Sequence, residues 1–191
     1  MSSKATAQLQ LLIELQHTDP VVWRRVLVPD NITLVKLHQV IQQSMGWWDY
    51  HLYEFAIDDE HYGYVDPDGD PVWDDFAPKL RNEKRKKLLT VLGRNSVFEY
   101  LYDYGDSWWN TITVENYLPL SHWPLLCCMG ASMACPPEDV GGIGGYYEFI
   151  DIMADPGHEE HESMLEWYGR PFDPTEIDIL EINRRLNQVK L

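Results

Sequence analysis

Basic residues are missing from two long stretches of the chain: no Lys or Arg occurs between Asp49 and Pro78, and none between Arg94 and Arg170. Those stretches must present an anionic surface, whereas duplex nucleic acid calls for a broad basic footprint, so nucleic acid is disfavoured as a partner. Long apolar runs are also missing. Nothing approaches the roughly 18 residues that span a bilayer, and Met1-Ser2-Ser3-Lys4 opens no apolar leader, so a soluble, cytoplasmic protein with no membrane partner is expected. Cysteine is scarce. Three residues, two of them adjacent at Cys127 and Cys128, do not make the evenly spaced framework of a secreted disulfide scaffold, and reduced thiols are expected.

What is abundant is aromatic and acidic. Eight Trp, eleven Tyr and five Phe in a chain that is 45% hydrophobic exclude disorder, because these side chains offset the entropy of ordering. The 191 residues are expected to form a single domain, 1–191, with an ordered core over about 7–189; a domain of this size buries roughly 70% of its unfolded surface. The net charge is -16, yet six of the fifteen basic residues crowd into Lys79 to Lys87. That run could grip phosphates but reads first as a solvated face.

Periodicity predicts an α+β fold whose elements open β-β-α-β. Leu9, Leu11, Ile13 and Leu15 alternate, and after His17-Thr18-Asp19-Pro20 a second apolar run covers Val21 to Val28, which reads as a hairpin. Leu34, Leu37, His38, Ile41 and Met45 recur at helical spacing, with Thr33 as cap and Gly46 as stop. His51 to Ile57 returns to strand character, and the turn-rich, acidic Asp58 to Pro78 reads as mostly irregular. Phe98 to Asp103 and Trp108 to Glu115 alternate around Gly105-Asp106, where positive φ at the glycine would close a tight hairpin. Three helices, Gly145 to Ala154, His158 to Tyr168 and Glu176 to Gln188, complete a C-terminal helical cluster, with Thr175 and Asp178 as a capping-box pair. The sheet is expected to be mixed or mostly antiparallel, in an order compatible with a β-grasp-like core.

Two segments concentrate turn residues, carboxylates and aromatics: Tyr102-Asp103-Tyr104-Gly105-Asp106-Ser107-Trp108-Trp109 and Pro136-Pro137-Glu138-Asp139-Val140-Gly141-Gly142. Asp103, Asp106, Glu138 and Asp139 could converge as oxygen ligands or as an acid and base pair; alternatively, Asp106 makes a turn, Asp139 caps a backbone N–H, and the others are solvated. Trp108 and Trp109 point to opposite faces of a strand, so Trp109 either packs under a helix or forms a platform. Trp47-Trp48 poses the same choice at a helix end.

Other candidate sites are weaker. His122, Cys127, Cys128 and Cys135 have zinc-binding atoms without the C-x2-C spacing of structural zinc. Asp66-x-Asp68-Gly69-Asp70 has its glycine misplaced for a calcium loop. Gly141 to Gly145 could cradle a phosphate, but Glu138 and Asp139 would repel it, and a close backbone approach is the better reading. His161, on a stripe with Met164, Leu165 and Tyr168, reads as a satisfied, partly buried side chain.

Five ordered motifs then carry a resemblance: Leu37-His38-Gln39-Val40-Ile41-Gln42 with Met45-Gly46-Trp47; His51-Leu52-Tyr53-Glu54-Phe55; Tyr102-Asp103-Tyr104-Gly105-Asp106 with Trp108; Pro136 to Gly142; and Ala154-Asp155-Pro156 with His158-Glu159-Glu160. Together they resemble the plasmid pRiA4b ORF-3-like family over about Leu9 to Leu186. The resemblance implies no established activity. One departure stands out: where the family pattern continues Asp-Trp-Glu-His-Glu, this chain has Ser107-Trp108-Trp109-Asn110-Thr111. A metal or acid/base site there would lack its His and three carboxylates.

These observations lead to a non-enzymatic binding module, with an acidic-aromatic cleft built from Tyr102, Asp103, Asp106, Trp108, Trp109, Glu138, Asp139 and Tyr146 and with no cofactor. A basic peptide or protein, or a cationic small molecule, suits it electrostatically. The alternative is a divalent-metal-dependent enzyme using the four carboxylates.

Overall fold

The alternating strands and the amphipathic helix assemble into a mixed sheet with helices gathered along one face and one end. The computed structural model describes residues 4–65, 79–120 and 124–191. Among these, eight strands pair in the order β5-β4-β3-β6-β7-β1-β2-β8. They are β1 (Ala7–Leu15), β2 (Trp23–Pro29), β3 (Tyr53–Ile57), β4 (Glu60–Gly63), β5 (Leu80–Asn82), β6 (Val97–Tyr102), β7 (Trp108–Pro119) and β8 (Cys127–Ser132). Every pairing is antiparallel except β4 with β5. The α+β class and the β-β-α-β opening stand. The calcium-like loop at Asp66 to Asp70 and His122 of the zinc reading lie outside the described residues.

α1 (Leu34–Met45) has the expected ends: the Thr33 side chain accepts from Lys36 N, and Gly46 stops the helix at φ 100°. Its apolar face buries Leu34, Leu37, Val40 and Ile41 against Leu9, Leu11 and Ile13 of β1 and Phe98, Tyr100 and Ile112 of the neighbouring strands. The opposite face of the sheet is polar, carrying the Arg25–Glu115 pair at 2.7 Å and the Gln16–Glu99 hydrogen bond at 2.8 Å. This division is what an antiparallel sheet with one solvated face requires.

α2 (Leu88–Leu92) follows the basic run, and α3 (Gly142–Ala154), α4 (His161–Tyr168) and α5 (Ile179–Leu186) form the C-terminal cluster. Phe149 of α3 contacts Trp167, Tyr168 and Phe172 edge-on, at 4.8 to 5.9 Å between ring centres. α5 seats Ile182 and Leu186 in the core.

Several expectations need correction. The hairpin before Trp108 takes its positive φ at Asp103 and Ser107, at 58° and 56°, and not at Gly105. The Asp103 side chain makes this conformation possible by accepting from Gly105 N at 2.8 Å, a local bond that helps Asp tolerate the left-handed region. Asp178, not Thr175, caps α5, accepting from Glu181 N at 2.9 Å. Thr175 instead donates to Asp173, because the helix begins three residues later than periodicity suggested. β4 lies in a segment read as irregular, and β5 and β8 were not foreseen; each is a short edge or near-edge strand defined by its partners.

Candidate functional site

The connection from α1 to β3 is pinned against the Pro136 to Asp139 loop. Trp47 is buried, stacks on Tyr102 with ring centres 4.9 Å apart, and donates its indole N–H to Pro136 O at 3.2 Å. One residue later, Trp48 N donates to Glu138 Oε1 at 2.6 Å while its ring is 67% exposed. The first ring of the pair is therefore structural and the second peripheral.

This pinning brings His51 onto three carboxylates. His51 Nε2 lies 3.6 Å from Asp103 Oδ2, 3.7 Å from Glu138 Oε2 and 3.1 Å from Asp139 Oδ1. One ligand atom from each of His51, Asp103 and Asp139 falls within 4.8 Å of the others, the single such grouping of three among the described residues. Glu138 is held by the Tyr102 hydroxyl, which donates to Oε1 at 3.0 Å and accepts from Tyr50 N at 3.1 Å. Burial, reinforced by the Glu138 carboxylate, raises the Tyr102 phenol, so it remains a donor.

Two features make the cluster unusual. Asp103 and Glu138 side chains are only 9% and 7% exposed, and a buried carboxylate is costly unless a cation or several donors face it. His51 Nε2 is itself buried and makes no hydrogen bond despite the nearby oxygens. The backbone is special here too: Asp103 and Asp139 both adopt positive φ, at 58° and 57°, a conformation that clusters at functional sites.

The two acidic-aromatic segments meet. Asp106 Oδ2 accepts from Gly141 N at 3.1 Å, and a Cβ on Gly142 would lie 2.8 Å from Asp106 O. Asp106 thus ties the hairpin to the start of α3 instead of joining the carboxylates around His51. Trp108 is fully buried beneath Trp47, and Trp109 is half-buried on the other face. Tyr146 is buried, with its hydroxyl donating to Ala134 O at 2.8 Å. Asn110 is buried on the core face and donates to Trp108 O at 2.9 Å.

Comparison with known proteins assigns the chain to a family. The model of the plasmid pRiA4b ORF-3-like protein family matches residues 7–181. The chain belongs to that family. An uncharacterised protein, y4hQ of Sinorhizobium fredii (strain NBRC 101917 / NGR234), is 38% identical over 184 residues, covering 95% of this chain and 91% of the relative. The crystal structure of MM3350, a protein of unknown function from Methanosarcina mazei Go1, superposes with a TM-score of 0.81 at 33% identity, covering 93% of this chain and 98% of that one. Neither relative carries a defined activity in its name.

His51 was visible in the sequence only as a member of a family motif and the start of a strand. No local spacing links it to Asp103, about fifty residues on, or to Asp139; only the α1–β3 connection does. Two other histidines have partners elsewhere. His161 Nδ1 lies 2.9 Å from Ile152 O, and His38 lies between the Tyr100 hydroxyl and Asp49, each at 2.7 Å. Cys127 and Cys128 are buried and adjacent on β8, so their side chains diverge.

Proposed function

We propose that the protein binds a divalent metal ion at His51, Asp103 and Asp139, with Glu138 as a further oxygen donor. The carrying observation is the convergence of one buried, unpartnered imidazole nitrogen with carboxylate oxygens at 3.1 to 3.7 Å. Donors bound to one ion at about 2.0 to 2.2 Å stand roughly 3 to 4 Å apart, so little movement is needed to take it up. An imidazole among carboxylates favours Zn²⁺ or Mn²⁺ over Mg²⁺ or Ca²⁺, which prefer oxygen alone. Bound there, the ion would neutralise the buried carboxylates.

The test is calorimetric titration of chelator-treated protein with Zn²⁺, Mn²⁺, Mg²⁺ and Ca²⁺, supported by thermal unfolding. Saturating metal at a hundred times Kd should stabilise the native state by about 2.7 kcal/mol. Asp103→Asn keeps a residue that tolerates positive φ, so it should fold and bind about tenfold or more weakly, as should His51→Ala. Equal affinity in wild type and both variants would exclude the site.

A second reading rests on the rim. Trp48 and Tyr50 are 67% and 72% exposed, and their rings meet edge-on at 5.6 Å beside Glu138. Exposed aromatic faces next to carboxylates suit an ammonium or guanidinium group of a basic peptide or cationic small molecule. Binding of a Lys/Arg-rich peptide that Trp48→Ala abolishes and metal leaves unchanged would support it.

A further inference from the structure

A cleft of about 610 Å³ opens beside the metal-ligand cluster, sharing Glu138 and Asp139 with it and running between Gly46 and α5. Its size lies within the roughly 300 to 1,000 Å³ typical of small-molecule sites. The wall carries charges of both signs, so the informative question is which of them lack partners.

The acidic groups on the α5 side are engaged. Asp178 caps α5, Asp173 accepts from Thr175, and Glu181 accepts from Arg184 at 2.6 Å. Arg24 is buried and held by carbonyls, donating from Nε to Ser44 O and from Nη1 to Trp23, Ser132 and Met133 O. Arg170 lies over the Tyr168 ring and within 3.9 Å of Glu176.

Arg185 is different. Its Nε is buried with no hydrogen-bond partner, and it forms no salt bridge among the described residues. The guanidinium packs against the end of α1, where a Cβ on Gly46 would stand 3.1 Å from Nη1; the glycine leaves it room. Arg24 is near enough that, after burial, the charge of Arg185 helps lower its pKa. Two neighbouring guanidinium groups, one without an acceptor, can receive negative charge at close range even though Glu138 and Asp139 share the cleft wall and oppose it.

We propose that Arg185 binds the oxyanion of a small molecule, a phosphate or a carboxylate, seated in this cleft, with the half-exposed Trp167 and the exposed Trp48 flanking its non-ionic part. The guanidinium fork matches two oxygens of either group. This site stands on Arg185 and the cleft, and it operates whether or not metal is bound.

The experiment follows tryptophan fluorescence and calorimetry of metal-free protein titrated with phenyl phosphate, benzoate and inorganic phosphate, with NaCl at matched ionic strength as control. Saturable binding of at least one probe is expected, weakened about tenfold or more in Arg185→Leu and unchanged in His51→Ala. Response to phenyl phosphate alone assigns a phosphate ligand, and response to benzoate alone assigns a carboxylate. Without probe, Arg185→Leu should melt at or above the wild-type temperature, because it removes an unpartnered buried donor. Arg185→Lys, which keeps the charge and loses the fork, should fold and bind more weakly than wild type. No saturable binding of any probe, or equal affinity in wild type and both Arg185 variants, overturns the proposal. Loss of probe binding in His51→Ala with Arg185 intact would assign the anion to the metal centre instead, and overturns it too.

Discussion

At the scale of single residues, the polar face of the sheet holds the pair most open to a quantitative test. Arg25 donates to both Glu115 oxygens, at 2.7 and 2.8 Å, and these bonds hold the Glu115 carboxyl below its ordinary value of 4.5. A carboxyl whose folded pKa is depressed contributes stability above its unfolded pKa, and that contribution is lost as pH falls through the folded pKa. Glu115→Gln should therefore lower stability at neutral pH and flatten its decline below about pH 4.5. Denaturant midpoints measured across that acid range decide it, and parallel curves for variant and wild type would remove Glu115 from the account. The effect will be modest, since both side chains keep a fifth or more of their surface in solvent.

At the scale of elements, the start of α3 requires Gly145 and not its neighbour Gly144. A Cβ on Gly145 would stand 1.9 Å from Val140 O, a backbone atom, whereas nothing lies within 4 Å of one on Gly144. Gly144→Ala should stabilise the protein by about 0.5 to 1 kcal/mol through helix propensity. Gly145→Ala should destabilise it by about 1 to 3 kcal/mol or more by forcing the loop that carries Glu138 and Asp139 away from the helix. Equilibrium denaturation gives both signs, and effects of the same sign would contradict the packing. The close approach was foreseen for the Gly141 to Gly145 run, but which glycine required it depended on where Val140 O lies.

At the scale of the whole molecule, a net charge of -16 opposes compactness. Screening should relieve that repulsion, so the melting temperature of chelator-treated protein should rise with NaCl; a fall would mean that attractive pairs dominate. The sheet also explains how residues distant in sequence form one site. β3 lies beside β6, with Tyr53 opposite Tyr102, so the residues preceding β3 and following β6 emerge at the same end of the two strands. Asp103 N donates to Leu52 O at 2.9 Å, which places Asp103 against His51 by continuing the ladder one step past the strands.

The amino-acid sequence by itself determined the class of fold, the first hairpin, both ends of α1 and the alternation that buries Trp108. Those features depend on local periodicity and capping, which need only neighbouring residues. Which ring of Trp47-Trp48 is buried was settled by the docking of Trp47 on Pro136. Tertiary structure decided which carboxylates share a site. Asp103 and Asp139 meet at His51, Glu138 faces the same nitrogen from the grip of Tyr102 and Trp48, and Asp106 is diverted to Gly141. It also decided that Arg185 ends in a cleft without an acceptor. A sequence states the chemical type of each side chain, but convergence depends on strand register and loop docking, and these are fixed by contacts between residues far apart along the chain.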